Sequence, residues 1–503
     1  MRPKFSLPRP EHWVRLLAAT LLGVLAVPGF APTGWYPLPI LSLALLFYLL
    51  REATPGSAFV AGWGYGLGLF LAGVSWVYVS LSTYGGMAPV LAALATLLFC
   101  CFIALQPAVG LWLAARLSRP GWLRSALAMP AAWALLEWVR DWLFTGFPWL
   151  ALGYSQAPHS PLPGSVLAGW APLLGVYGVS LLAALTAGAL ASRRPRALAV
   201  AVLIWLAGWG WQQVPWTRPL DPPVSVALLQ GNVAQELKFR PEKLQQTLLD
   251  YGRAVLASEA RLIVLPETAL PILRAAVPGD YLAMLAEHGR RNGGDVVLGV
   301  PEEEGERYFN SVISLGSAPE GRYRKAHLVP FGEFLPWGFA WVLRVLSIPM
   351  SDFSSGASAQ PPLSAAGQKL AVNICYEDAF GAERITAARA STLLLNLSND
   401  AWFGASLAPW QHLQIGAMRS LEAGRWQLRA NNTGITAVID QHGQVRTQLA
   451  PFTRGTLAAR AQGMTGDTPY LLWGNWPTLA LIALLLGLAW RFGHGVRISP
   501  PIE

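Results

Sequence analysis

Charge is what this chain has least of. Only 13% of its residues are Asp, Glu, Lys or Arg, about half the share in a soluble globular protein, which argues against a cytosolic enzyme. Cysteine is scarcer still, three in 503 residues, too few for a disulfide framework. There is no P-loop, no GxGxxG and no Cys/His cluster with metal-ligand spacing, so neither a nucleotide nor a metal is expected. What is abundant is apolar: 53% hydrophobic residues and 23 tryptophans, a composition that points to a membrane.

The apolar surplus gathers before about residue 213 and after about residue 469. It resolves into runs of roughly 17–25 residues, the length that crosses a bilayer core. Seven are read near 13–30, 36–50, 57–81, 88–115, 123–142, 165–191 and 197–213, and an eighth near 469–490. Basic residues mark alternate links. Arg2, Lys4, Arg9 and Arg15 stand at the start of the first run, and Arg51 follows the second. Arg116, Arg119 and Arg124 surround the link after the fourth, Arg193, Arg194 and Arg196 follow the sixth, and Arg491 and Arg497 follow the eighth. The links near 31–35 and 82–87 carry none. By the positive-inside rule both termini face the cytoplasm and the segment 214–468 faces outward. The net charge of +9 is then a topology signal, and no nucleic-acid partner is expected. The expected organisation is seven transmembrane helices in 1–213, an exported domain in 214–468, an eighth helix in 469–491 and a cytoplasmic tail in 492–503. A cleaved signal peptide is the alternative for the first run, but its removal breaks the alternation.

The middle segment alternates strand-like and helix-like patterns, which predicts an α/β domain with sheets packed between helices. "VSVALLQGN" (224–232), "RLIVLPETALP" (261–271), "DVVLGVP" (295–301), "NSVISLG", "KLAVNICYEDAF" and "STLLLNLSNDAWFG" (391–404) read as strands with their following loops. Helices are expected near 241–258, 279–292 and 409–426, and closing strands near 427–439 and 443–460. Three polar residues stand at strand ends, where α/β proteins place chemistry: Glu267, Lys325 and Cys375. Cys100 and Cys101 fall inside the fourth apolar run and read as small packing residues, leaving Cys375 as the sole thiol of the exported segment. A free thiol in an oxidising compartment is either buried or used. Each residue also has a plainer reading: Glu267 as a carboxylate at a helix N-terminus, Lys325 as a solvated base beside Arg322 and Arg324, Glu333 as a loop charge, Cys375 as an inert core thiol. Together they suit acyl transfer. The thiolate is the reactive form; a nearby carboxylate can take its proton, and an ammonium can stabilise both the thiolate and a tetrahedral oxyanion.

"LPETALP", "YRKAHLVPFGEFLP" and "NICYEDAF" resemble the Glu-Lys-Cys triad segments of the nitrilase superfamily. With the apolar runs, "LLQGN", "NLSNDAWFG" and "RANNTGITAVID" make nearly the whole chain similar to the bacterial apolipoprotein N-acyltransferases. The resemblance implies a polytopic α-helical membrane domain of about eight spans joined to an exported, nitrilase-like αββα sandwich. It implies Glu267 as general base, Lys325 as oxyanion stabiliser, Cys375 as nucleophile and Glu333 as a supporting glutamate, with Tyr376 and Glu377 at the substrate. Phe239, closing "QELKF", stands where a tryptophan is expected, so an aromatic is retained there without an indole N–H. The implied reaction is transfer of a fatty acyl chain from a phospholipid, phosphatidylethanolamine foremost, to the α-amino group of a diacylglyceryl-cysteine apolipoprotein through a Cys375 thioester. It needs no cofactor, and places the chain in a bacterial inner membrane with the catalytic domain in the periplasm.

Two outward loops look built for lipid: 331–361, which carries Trp337, and 401–410, which carries Trp402 and Phe403. Glu137, Arg140 and Asp141, near the outer end of the fifth run, are ionisable residues at membrane depth and so are binding candidates, with mutual pairing as the plainer reading. Two other classes fit less well. A membrane-tethered amidase would use the same triad with water as acceptor, and a transporter would need polar residues that the spans lack.

Overall fold

The structure is a computed structural model that describes residues 10–159, 162, 164–334 and 352–494. Its first part is helical. Among the described residues three helices are long and apolar enough to cross a membrane, Pro55–Val74, Pro89–Leu117 and Val166–Ser192, and four shorter apolar helices cover Trp13–Gly29, Pro37–Leu50, Pro195–Trp211 and Trp476–Phe492. The helical stretch from Arg124 to Trp142 lies where a further run was expected and carries Glu137, Arg140 and Asp141. Proline opens the helices at 37, 55, 89 and 195, where the missing N–H is an unbonded donor position anyway. Leucines 17, 21, 94, 98, 203, 206 and 484 point outward, well exposed, as on a lipid-facing belt. Small residues let the helices touch. A Cβ on Gly23 would meet the Tyr65 carbonyl at 2.0 Å, and one on Gly68 the Thr20 carbonyl at 2.0 Å, so Pro10–Ala26 and Pro55–Val74 pack backbone to backbone.

The second part is two six-stranded sheets. One has the order β12-β1-β2-β3-β4-β5, the other β11-β10-β9-β8-β7-β6. The strands of the first are β1 (Arg218–Gln230), β2 (Leu262–Val264), β3 (Asp295–Glu304), β4 (Arg307–Gly316), β5 (Gly321–Arg324) and β12 (Gly455–Thr465). Those of the second are β6 (Leu363–Ala365), β7 (Gln368–Ile374), β8 (Leu393–Ser398), β9 (Gln427–Asn431), β10 (Ala437–Ile439) and β11 (Val445–Gln448). In each sheet three central strands run parallel, β1-β2-β3 and β7-β8-β9, with antiparallel strands at the flanks. The sheets face one another through Leu228, Val264, Val297 and Val312 on one side and Val372, Leu395, Leu428 and Val438 on the other. The outer face of the first, with Leu229, Ile263, Val296 and Leu298, is covered by Tyr251, Val255 and Leu285 from the helices Pro241–Leu256 and Gly279–Arg291. Ala371 and Leu394 of the second are covered by Ala388 and Ala423 from Gly381–Arg389 and Ala408–Ala423. The layers are αββα, and the short central strand β2 is wholly apolar because both its faces are buried.

Several boundaries differ from the sequence reading. The strand read at the head of 261–271, with Pro266 as its stop, is the three residues Leu262–Val264: Pro266 has no N–H to give a ladder, and Thr268 takes a positive φ of 48°. The stretch 427–439 is two strands, β9 and β10, folded back antiparallel across the turn at "NNTG". The stretch 443–460 belongs to both sheets, β11 to one and β12 to the other, with Pro451 in the link. The helix expected to reach 426 stops at Ala423 because Gly424 turns left-handed at φ 60°.

Helices and sandwich meet through polar contacts. Gln411 Oε1 accepts from Trp76 Nε1 (3.2 Å) and Trp149 Nε1 (2.6 Å), and its amide donates to the Gly73 carbonyl (3.0 Å). Tyr376 donates to the Gly146 carbonyl at 2.9 Å and Tyr154 to the Ala379 carbonyl at 3.1 Å. The turn that follows β7 is thereby tied to the segment 143–156.

Candidate active site

Cys375 is the residue that follows β7 directly. It opens a short 3-10 turn, Cys375–Ala379, and holds a φ of 53°. A non-glycine residue held in that region stores on the order of 1–3 kcal/mol of strain, tolerated only where neighbours fix it. Lys325 follows β5 directly and is anchored by its own N–H on the Asn310 carbonyl at 2.8 Å. Glu267 follows β2 after Leu265 and Pro266. Three short strands, two in one sheet and one in the other, thus end at one place.

The side chains there form a connected set. Lys325 Nζ lies 2.8 Å from Glu333 Oε2 and 3.6 Å from Glu267 Oε1. Asn310, on β4, donates to Glu267 Oε1 at 2.7 Å and to Glu333 Oε1 at 3.1 Å. Glu333 also accepts from the Val329 N–H at 2.9 Å, which closes its own loop around it. Lys238 donates its ammonium to the Glu267 carbonyl at 3.0 Å. Lys325 is 1% exposed, and Glu267 and Cys375 each 8%, so the charges interact at low dielectric.

Burial dominates the electrostatics. It raises the proton affinity of Glu267, the facing Glu333 raises it further, and Lys325 opposes both. It pulls the Lys325 ammonium down, but the carboxylates of Glu333 and Glu267 outweigh it and hold the lysine charged above its ordinary range. Burial, then Glu267, pushes the Cys375 thiol well up, against the pull of Lys325. Lys238 is brought down to about 8 by burial, with Glu267 and Cys375 acting against it. A thiol so placed is inert until a base removes its proton. A carboxylate of raised basicity can take that proton and return it, beside an ammonium that stays charged.

The other expected site residues are placed as follows. Glu377 is fully buried. It accepts from the N–H groups of Ala326, His327 and Ile374 and from the Tyr323 hydroxyl, each at 2.7–3.0 Å, and pairs with Arg384. It therefore joins β5, β7 and the loop after Lys325 from beneath, and its oxygens are occupied. Tyr376 stacks 6.3 Å from Trp149. Phe403 meets Trp76 edge-on at 4.7 Å, and Trp402 meets Tyr84 at 6.2 Å, so the 401–410 loop rests on the helical part. Glu137 accepts from Trp133 Nε1 (2.8 Å) and the Leu152 N–H (2.9 Å), and Arg140 donates to the Phe147 and Trp149 carbonyls (2.6 Å each). These two brace the segment that carries Trp149 rather than joining the Cys375 set. Phe239 is half-buried beside Lys238. Trp337 lies outside the described residues. Lys238 and Asn310 were missed by the sequence reading, although both fall in segments it singled out, "QELKF" and "NSVISLG".

The model of the carbon-nitrogen hydrolases matches residues 225–470, and that of the apolipoprotein N-acyltransferase N-terminal domain matches residues 22–189. An apolipoprotein N-acyltransferase of Nitrosomonas europaea is 50% identical over 94% of this chain and 96% of its own length. One from Chromobacterium violaceum is 44% identical over 95% of this chain and 94% of its own. Among solved structures, the carbon-nitrogen hydrolase superfamily protein XC1258 of Xanthomonas campestris is similar at 17% identity and a TM-score of 0.37, over 52% of this chain and 97% of that one.

Proposed function

As the chain belongs to the apolipoprotein N-acyltransferase family, we propose that its acyl transfer runs through a thioester on Cys375. It is an N-acyltransferase of lipoprotein biosynthesis, and relatives of that name over nearly its full length do not favour the amidase reading.

In the first half-reaction Glu267 takes the Cys375 proton and Sγ attacks the ester carbonyl of a phospholipid. Lys325 stabilises the tetrahedral oxyanion. The carbon–oxygen bond breaks, Glu267 returns the proton to the departing alkoxide, and a lysophospholipid leaves. In the second, the α-amine of a diacylglyceryl-cysteine apolipoprotein attacks the thioester, Glu267 takes the amine proton, and the thiolate leaves and is reprotonated. An α-amine with a pKa near 8 is partly neutral at pH 7, and thioester to amide is downhill, so no further energy source enters. Glu333 holds Lys325 in place and keeps it charged. The observation that carries this reading is the convergence of Glu267, Lys325, Glu333 and Cys375 at the ends of three strands, with ion pairs of 3.6 and 2.8 Å.

Phosphatidylethanolamine is the proposed donor. The α/β segment 214–468 is proposed to lie in the periplasm, with about eight crossings and both termini in the cytoplasm. The alternating arginines support that topology, as does the outward-facing leucine surface. Trp402 and Phe403 are proposed to meet the lipid chains, as is Trp337, which lies outside the described residues, with Tyr376 beside the thioester. Intact-protein mass spectrometry after incubation with phosphatidylethanolamine tests the reading: one added acyl mass, lost on treatment with hydroxylamine, is expected. An unchanged mass overturns it.

A further inference from the structure

The backbone carbonyl of Cys375 is held from two sides. Asn396, on β8 beside β7, donates to it at 3.2 Å, and His412 Nε2 reaches it at 3.2 Å from the helix Ala408–Ala423. His412 is itself held. Its Nδ1 lies 3.0 Å from Asp400 Oδ1, and Asp400 Oδ2 accepts from Asn431 at 2.7 Å. His412, Asp400 and Asn431 are each 1% exposed, and the His412 ring packs 5.8 Å from that of Trp149. Burial would raise the Asp400 carboxyl, but the facing His412 and Arg429 outweigh it and keep the group ionised. A carbonyl and a carboxylate only accept hydrogen bonds. The ring set between them meets an acceptor at each nitrogen.

Cys375 stands at φ 53°, where few residues rest without support. The orientation of its peptide, and so the direction of the side chain, depends on what fixes that carbonyl. We propose that His412 is a positioning residue for Cys375: its Nε2–H clamps the carbonyl of the strained turn, and Asp400 holds the ring that does so. This rests on the reading of Cys375 as the nucleophile.

The test uses the full-length protein in phospholipid nanodiscs with His412→Gln, His412→Asn and Asp400→Asn. Glutamine carries an amide nitrogen about as far out as Nε2 and keeps a donor for the carbonyl. Asparagine ends short and keeps a donor only toward Asp400. His412→Asn should lose about 10–100-fold in the maximal rate of acyl loading, with the half-saturating phospholipid fraction unchanged. His412→Gln should recover most of that loss. Asp400→Asn, which keeps the ring, should lose rate in the same way and decides the matter if His412→Asn does not fold. Equal rates in the two His412 variants, or an unaffected Asp400→Asn, would overturn the proposal. Alkylation by iodoacetamide, followed on the peptide that contains Cys375, reads the same ranking without any lipid. If wild type never gains an acyl mass yet the alkylation ranking holds, the thioester reading fails and the positioning role stands. Identical alkylation rates in all variants sink the positioning role whatever the loading shows.

Discussion

Lys238 gives its ammonium to the backbone carbonyl of Glu267 at 3.0 Å. Two lysines therefore converge on that residue, Lys325 on its carboxylate and Lys238 on its main chain. Lys325 is matched by two carboxylates and stays charged. Among the described residues the Glu267 carbonyl is the hydrogen-bond partner of the Lys238 ammonium, and burial brings that group down to about 8.

Lys238 thus gives the site a pH dependence. Its folded pKa lies below the ordinary lysine value, so between about pH 8 and 10.4 the unfolded chain binds more protons and stability rises with pH. Lys238→Met removes the buried charge. It should be more stable than wild type below pH 8, by on the order of 1–2 kcal/mol once the lost hydrogen bond is counted, and the difference should shrink toward pH 10. Thermal unfolding at pH 7 and pH 10 reads this. In the lipid-loading step, which involves no acceptor amine, wild type should slow above about pH 8. The variant should be about tenfold slower and lack that alkaline limb.

Glycine 299, on β3, sets the height of Glu267. A Cβ there would lie 2.5 Å from the Thr268 nitrogen, 2.7 Å from the Pro266 carbonyl oxygen and 2.8 Å from the Glu267 Cα. All three are backbone, so Gly299→Ala must push the 266–268 segment outward. Overpacking of this kind costs about 1–3 kcal/mol, while a shift of about 1 Å in a reacting group costs about 10²-fold in rate. Loading should therefore fall far more than stability does. Gly279→Ala, where a Cβ meets nothing within 4 Å, is the control and should leave both unchanged. Parallel, modest losses of rate and stability would mean that Glu267 had not moved.

Glu267 and Cys375 stood out in the sequence because each follows a short apolar run, "LIVLP" and "LAVNI", that belongs to a parallel strand buried on both faces; Lys325 follows the basic edge strand β5, and it was the resemblance of its segment that singled it out. Lys238, Asn310, His412 and Asp400 were not legible, because each sits in a helix, strand or loop pattern where a polar residue looks solvated. Their partners are 29 to 43 residues distant for Lys238, Asn310 and His412, and one sequence carries no record of such pairings. The division of 443–460 between two sheets was hidden similarly: β11 and β12 have the same local character, and only their partners, β10 and β1, differ. Glu377 was misleading in the opposite direction. Its position beside the cysteine suggested substrate contact, whereas its oxygens hold backbone N–H groups and its exposure is zero.

Topology follows from the arginine-bearing links. Reporter fusions after residues 54, 120 and 195 should read cytoplasmic, and one near residue 320, in the exposed turn between β4 and β5, should read periplasmic. A cytoplasmic signal at 320 would put the sandwich on the wrong side of the membrane for a lipoprotein substrate and would sink the proposed topology.

The covalent step gives the sharpest expectation. Cys375 is buried just after β7, with its thiol pushed up by burial and by Glu267, so in the proposed mechanism loading depends on transfer of its proton to Glu267 and on the Lys325 charge. Cys375→Ala should never gain an acyl mass. Cys375→Ser should be nearly inactive, since a serine hydroxyl is a far weaker acid than a thiol and an ester would acylate the amine more slowly than a thioester. Lys325→Ala should load about 10²–10³-fold more slowly, the usual loss when one oxyanion stabiliser is removed. It should also be destabilised, because Glu267 and Glu333 would then face each other without the ammonium between them. Lys325→Met keeps the bulk but not the charge and should show the same rate loss, which separates the electrostatic role from the packing one. On loaded wild type, a peptide bearing diacylglyceryl-cysteine should discharge the acyl group and appear as the N-acylated product. Acyl transfer at the normal rate by Cys375→Ala would overturn the mechanism.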